Sequence, residues 1–252
     1  MTDWTFDFTD QTVVITGGSR GLGFEMARAF SSLGAHVVIA SRELDACREA
    51  AARITAETGG RVSAYALQVT DWDQCTAFAQ TVWDDLGGVD VLVNNAGSSP
   101  LCDSLTDISE TLFDKVIGLN LKGPFRLASI LGEKMAESGG GAIVNISSIA
   151  SQHPRPATLP YAAAKAGLNA MTVALAHAYG PRVRVNAVVP GAFLTDVAEH
   201  WDREAFEERA RGFALQRGGR PDEIVGAVLH LASDHASYTT GSLLTVDGGA
   251  PA

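Results

Sequence analysis

Seven runs rich in β-branched residues alternate with stretches of helical length, and this alternation constrains the chain more tightly than any other feature. The runs occupy residues 12–16 (TVVIT), 35–40 (AHVVIA), 61–67 (RVSAYAL), 89–93 (VDVLV), 142–146 (AIVNI), 183–188 (VRVNAV) and 243–246 (LLTV). The intervening pieces, such as 21–33 and 73–86, have helical length and helical apolar spacing, so the pattern reads βαβαβ with parallel crossovers. The expected fold class is α/β: a Rossmann-like, doubly wound sheet with helices on both faces. No Pro/Ser-rich linker, shift in composition or internal repeat divides the 252 residues, which reads as one domain, 1–252. The exception to strict alternation lies between Pro190 and Pro221, where an insertion, residues 192–218, bears Phe193, Trp201, Phe206 and Phe213. Beside a sheet's carboxyl edge such an insertion is expected to be a substrate lid, the alternative being a surface helical pair packed on the core.

Charge narrows the partners. A formal net charge of -10 disfavours nucleic acid, whose phosphates require clustered Lys and Arg. Cys47, Cys75 and Cys102 are odd in number and lack CxxC spacing, so reduced thiols are expected rather than disulfides, and no metal site is expected. The start, MTDWTFDFTDQ, has neither the basic nor the apolar part of a secretory signal, so a cytoplasmic location is expected. Residues 161–180 are the most lipid-like, yet Lys165, Asn169 and His177 fit helix–helix packing better than a membrane span.

Directly after the first strand comes TGGSRGLG, residues 16–23. Gly17, Gly21 and Gly23 let the backbone turn and approach a pyrophosphate, whose charge the following helix N-terminus favours. The strand–glycine–helix order makes this a dinucleotide loop, and no Gly-Lys-Ser/Thr follows to make it a Walker loop. Residues 17–21 also match the GxSxG nucleophile elbow, but no HGGG-like segment or recognisable acid and histidine accompany it. The second strand ends Ala40-Ser41-Arg42 without a carboxylate. Arg42 and Arg20 can flank a 2'-phosphate, so NADP(H) is expected over NAD(H), although Glu43 lies within reach of a ribose.

Tyr161 and Lys165 in YAAAK are four residues apart on one helical face. A nearby ammonium favours a phenolate, so Lys165 is expected to lower the pKa of Tyr161 and make it an acid–base group. Ser148, after the fifth strand, is placed to donate a hydrogen bond to a substrate oxygen.

Together these residues resemble the short-chain dehydrogenase/reductase family over essentially the whole chain. TGGSRGLG is similar to that family's TGxxxGxG, Asn94-Asn95-Ala96-Gly97 to its NNAG, YAAAK to its YxxxK, and Pro190-Gly191 with Thr195 to its PGxxxT. The resemblance implies hydride exchange at nicotinamide C4 while Tyr161 moves the carbonyl proton. It makes Asn120, Ser148, Tyr161 and Lys165 catalytic, with Asn120 continuing a proton relay through water. It gives a cofactor-binding set of Gly17, Ser19, Arg20, Gly21, Leu22, Gly23, Ser41, Arg42, Gln68, Val69, Asn94, Ala96, Gly97, Tyr161, Lys165, Pro190, Gly191, Phe193 and Thr195. Gln68 stands where relatives often carry an acidic or amide residue against adenine, whereas Asp71 reads as a helix N-cap with Gln74 three residues on. A homotetramer or homodimer is implied, with the 161–180 helix and the C-terminal part as contacts. The expected substrate is a small or medium ketone or secondary alcohol. The alternatives are a 3-oxoacyl-carrier-protein reductase and, in a different class, a dinucleotide sensor or scaffold without catalysis.

Overall fold

The computed structural model describes residues 5–196 and 203–251; Trp201 of the insertion therefore lies outside the described residues. Seven strands form one parallel sheet: β1 (Thr12–Thr16), β2 (His36–Ser41), β3 (Arg61–Ala66), β4 (Val91–Asn94), β5 (Gly141–Ile146), β6 (Val183–Pro190) and β7 (Leu243–Val246). Their order across the sheet is β3-β2-β1-β4-β5-β6-β7, and every pairing is parallel. The helices are α1 (Gly21–Ser32), α2 (Leu44–Thr58), α3 (Trp72–Leu86), α4 (Glu110–Ile117), α5 (Gly123–Glu137), α6 (Leu159–Tyr179), α7 (Arg203–Ala210) and α8 (Val225–Ala232).

A covered parallel sheet explains the continuous apolar runs. All five residues of β1 are buried: Val13 and Ile15 join α1, α2 and α8 on one face, while Val14 joins α3, α5 and α6 on the other. The expected doubly wound architecture is therefore present, with strand ends differing from the sequence reading by a few residues at most. The largest shift is in β4, where Val89 and Asp90 precede the strand; the Asp90 carboxylate instead accepts a hydrogen bond from the Thr12 amide at 2.7 Å. Asp71 caps α3 as expected, accepting from the Asp73 and Gln74 amides.

The direction in which successive strands are added reverses at β1, which pairs in parallel with β2 on one side and β4 on the other. The carboxyl ends of β1 and β4 consequently open a crevice at the topological switch point, where sheets of this kind bind ligands.

Candidate active site

The glycine loop crosses from β1 to α1 under tight steric limits. Gly21 has φ +55°, and a Cβ on Gly23 would stand 2.2 Å from the Gly17 carbonyl oxygen, so neither position accepts a side chain without rearrangement. Arg20 occupies the N-cap of α1 in extended conformation, makes no side-chain cap, and is followed by no acidic residue in the first turn. The amides of that turn are thus left for an anion, with the helix dipole favouring it. Thr195, remote in sequence, comes to 3.5 Å from the position of a Gly21 Cβ, so PGxxxT and the glycine loop share one end of the crevice.

The loop is tied to β4 by residues whose role the sequence reading missed. Thr16 Oγ1 accepts from the amides of Asn95 (3.1 Å) and Ala96 (3.0 Å), and Asn95 Nδ2 donates to the carbonyls of Thr16 (2.9 Å) and Gly17 (3.2 Å). The paired asparagines therefore divide their work. Asn94 is 1% exposed and braces the sheet interior, donating to Asn145 Oδ1 at 3.0 Å, while Asn145 in turn donates to Thr172 of α6 at 2.9 Å. The only signal of this in the sequence is the doubled Asn at a strand's carboxyl end.

At the end of β2, Ser41 Oγ contacts Ser19 Oγ (3.5 Å) and Cys47 Sγ (3.0 Å). Arg20 and Arg42 are exposed and neither forms an ion pair among the described residues. Gln68 is half-buried after β3; Val69 is 4% exposed, its carbonyl 2.2 Å from the Cβ position of Gly123. Leu22 packs against the core beneath the loop. Gly191 is held by its amide to the Val246 carbonyl (2.9 Å), continuing from Pro190 at the end of β6. Phe193 is 7% exposed, in the core and against Gly219.

The proton-transfer residues converge from three elements. Asn120 sits in a π-helical turn, Gly118–Lys122, and is fully buried; its Nδ2 donates to the carbonyls of Ser98 (3.0 Å) and Val116 (2.9 Å). Such an inserted residue redirects a helix locally, a common device at functional sites. Ser148 lies two residues past β5 and caps a short turn, its Oγ accepting from the Ala150 amide at 3.1 Å. Tyr161 and Lys165 rise from α6, with Lys165 Nζ 5.7 Å from the Tyr161 ring centre and donating to the Ile146 carbonyl at 2.7 Å. A Cβ on Gly97 would stand 2.8 Å from Asn120 Oδ1 and 3.6 Å from Lys165 Nζ, so the gap beside Gly97 borders both groups.

The electrostatics correct one expectation. Lys165 does not lower the Tyr161 pKa here; burial raises the phenol, and hydrogen bonding with Ser148 opposes that only in part. Burial also lowers the lysine, from 10.5 to about 7. Both shifts have one cause, since removal from water penalises the phenolate and the ammonium alike. At neutral pH the phenol is protonated and the lysine is poised between its two forms.

Asn169, four residues beyond Lys165, is a further residue that sequence reading did not nominate. It accepts from Ser147 Oγ (2.6 Å) and donates to Ser151 Oγ (2.8 Å), which donates to the Ser148 carbonyl (2.6 Å). This network fixes the Ser148 turn against α6. Its helical spacing from Tyr161 and Lys165 is the signal that was available.

Comparison with known proteins identifies the family. A family model described as enoyl-(acyl carrier protein) reductase matches residues 17–251. The chain belongs to the short-chain dehydrogenase/reductase family. It is an oxidoreductase of that family, whose members use NAD(P)(H) and act on CH–OH or carbonyl groups. It is 38% identical over 242 residues to the 3-oxoacyl-[acyl-carrier-protein] reductase FabG of Chlamydia trachomatis, covering 95% of this chain and 97% of that one. L-rhamnose 1-dehydrogenase (NAD(P)(+)) of Azotobacter vinelandii is 38% identical, over 95% of this chain and 96% of the relative. The L-sorbose reductase of Gluconobacter frateurii, solved with NADPH and L-sorbose, superimposes with a TM-score of 0.90 at 29% identity, over 97% and 98% of the two chains. No helix among the described residues is long and apolar enough to cross a membrane.

Proposed function

We propose that this protein reduces a small or medium ketone with NADPH, or oxidises the corresponding secondary alcohol with NADP+, and that Tyr161 is its acid–base group. The observation that carries the reading is a protonated, half-buried phenol beside a lysine of pKa about 7, at the carboxyl edge of a sheet whose first loop suits a pyrophosphate. When bound, the nicotinamide supplies or accepts a hydride at the substrate's carbonyl carbon.

The residues fit such a cofactor. The uncapped first turn of α1 suits the pyrophosphate, Arg20 and Arg42 the 2'-phosphate, and Thr195 the nicotinamide end. Gln68, Ala96 and the Pro190–Gly191 turn complete the proposed crevice. Asn94, Val69 and the ring of Phe193 are assigned a supporting role, because their side chains are buried in the protein.

In reduction, Ser148 holds the carbonyl oxygen and the neutral Tyr161 phenol donates its proton to it. Lys165, titrating near neutrality, returns a proton to the phenolate. Asn120, across the gap beside Gly97, extends that route toward solvent. Oxidation runs the same transfers in reverse. The described parts of the 192–218 insertion, residues 192–196 and 203–218, are assigned to a lid over this site. Exposed Val173 on α6 and exposed Leu243 and Leu244 on β7 support a homotetramer or homodimer, and the absence of a long apolar helix among the described residues is compatible with a cytoplasmic enzyme.

A second reading, 3-oxoacyl-carrier-protein reduction, is favoured by the Chlamydia relative, although a charge of -10 opposes approach of an acidic carrier. The test is a panel of ketones, alcohols and acyl thioesters followed by nicotinamide absorbance with both cofactors. Turnover of a simple ketone with NADPH is expected. NADPH binding without turnover of any member would instead support the dinucleotide sensor.

A further inference from the structure

Ser148 stands where β5 gives way to a loop, and its own turn does little to hold it. Its Oγ accepts from the Ala150 amide at 3.1 Å and hydrogen-bonds with Tyr161. The turn is only the three residues Ile149–Ser151, and the six that follow, 152–157, are exposed. A single short turn opening into solvent does not fix a side chain's direction by itself.

Asn169 of α6 supplies the restraint. Ser147, 2% exposed, donates its amide to the Val188 carbonyl of β6 at 2.8 Å and its hydroxyl to Asn169 Oδ1 at 2.6 Å. Asn169 Nδ2 donates to Ser151 Oγ at 2.8 Å, and Ser151 Oγ donates to the Ser148 carbonyl at 2.6 Å. Chemistry sets the order of donors. A backbone carbonyl only accepts, so the one hydrogen of the Ser151 hydroxyl goes to Ser148, and Ser151 must then accept from an N–H. Asn169 accordingly turns its nitrogen to Ser151 and its oxygen to Ser147. One amide thereby holds the residue before Ser148 and the third residue after it. Tyr161, Lys165 and Asn169 are spaced by four along one stripe of α6, so the same rigid helix carries the phenol and the clamp on the serine that meets it.

We propose that Asn169 is a positioning residue for the reaction: through Ser147 and Ser151 it holds the Ser148 hydroxyl in register with Tyr161. The inference rests on the reading of Ser148 and Tyr161 as the groups that meet the carbonyl, and adds to it a residue that touches neither substrate nor cofactor.

The test is a double-mutant cycle on the full chain with NADPH and ethyl acetoacetate, paired with amide hydrogen exchange. Asn169→Ala should lower kcat by about tenfold to a hundredfold, the range of a small misplacement at a reacting centre, with KM and NADPH affinity changed less than about threefold. Ser151→Ala, which removes the link to the Ser148 carbonyl and leaves α6 intact, should act in the same direction. In a Ser148→Ala background the loss of Asn169 should cost less than about twofold, because the group it positions is already gone. An equal factor in both backgrounds shows general damage to the fold and overturns the inference, as does an unchanged kcat in Asn169→Ala. Full activity in Ser148→Ala refutes the catalytic reading and the inference together, whereas loss in Ser148→Ala and Tyr161→Phe without loss in Asn169→Ala overturns the inference alone. Exchange reads the restraint without turnover: peptides spanning 147–153 should exchange about tenfold or more faster in Asn169→Ala, with those of β6 unchanged, and unaltered exchange at 147–153 overturns the inference whether or not the ketone is reduced.

Discussion

Replacing Lys165 by Met should make the protein more stable near neutrality while destroying its activity. The lysine is 3% exposed, and burial lowers its pKa from 10.5 to about 7. The unfolded chain therefore binds more protons than the folded one between those values, and wild-type stability rises with pH across that window. Below pH 7 the full penalty is present. At 1.36 kcal/mol per unit, burying this lysine costs about 4 kcal/mol at pH 7 and under about 1 kcal/mol at pH 10. Met keeps the length of the side chain without the charge, but leaves the Ile146 carbonyl without its 2.7 Å donor, a loss of about 1–3 kcal/mol. The net gain at pH 7 is about 1–3 kcal/mol, which for a domain of this size raises Tm by roughly 2–10 °C. By pH 10 the gain should vanish or reverse. Denaturant melts of both proteins from pH 6 to 10 measure the difference directly. A gap independent of pH, or a variant less stable at pH 7 than at pH 10 relative to wild type, would refute the claim that the buried ammonium is a penalty.

Tyr161→Phe should lower kcat by about a thousandfold or more, since a positioned acid–base group contributes in that range, while NADPH affinity measured by fluorescence changes little. Substantial residual turnover would remove Tyr161 from its role. Arg42→Asp should shift the ratio of kcat/KM values toward NAD(H), by about tenfold for one charge-assisted contact, and an unchanged ratio would exclude the 2'-phosphate contact. Gly23→Ala places a methyl 2.2 Å from the Gly17 carbonyl, so NADPH binding should fall below detection and Tm should drop; retained affinity would show the loop to be more yielding than its geometry.

Much of this was legible before any coordinates. The run TVVIT announced a central strand because both its faces are covered, and TGGSRGLG announced a close backbone approach because glycine alone fits there. Asp71 was recognisable as a cap because capping is local, decided within three residues. Asn95 and Asn169 were missed for the opposite reason. Their partners, Thr16 and Gly17 in one case and Ser147 and Ser151 in the other, are far away in sequence. The packing of the Phe193 ring against Gly219 was likewise beyond local reading, because the two residues lie 26 apart in the chain.

The sequence by itself determined the order of strands and helices, the anion-ready turn at the start of α1, and the helical spacing of Tyr161 and Lys165, because each depends on residues near one another in the chain. Only the tertiary structure decided how those groups titrate. Charge proximity on a helix argued for a lowered phenol, yet the sheet and α6 withdraw both groups from water, and desolvation outweighs the pair's attraction.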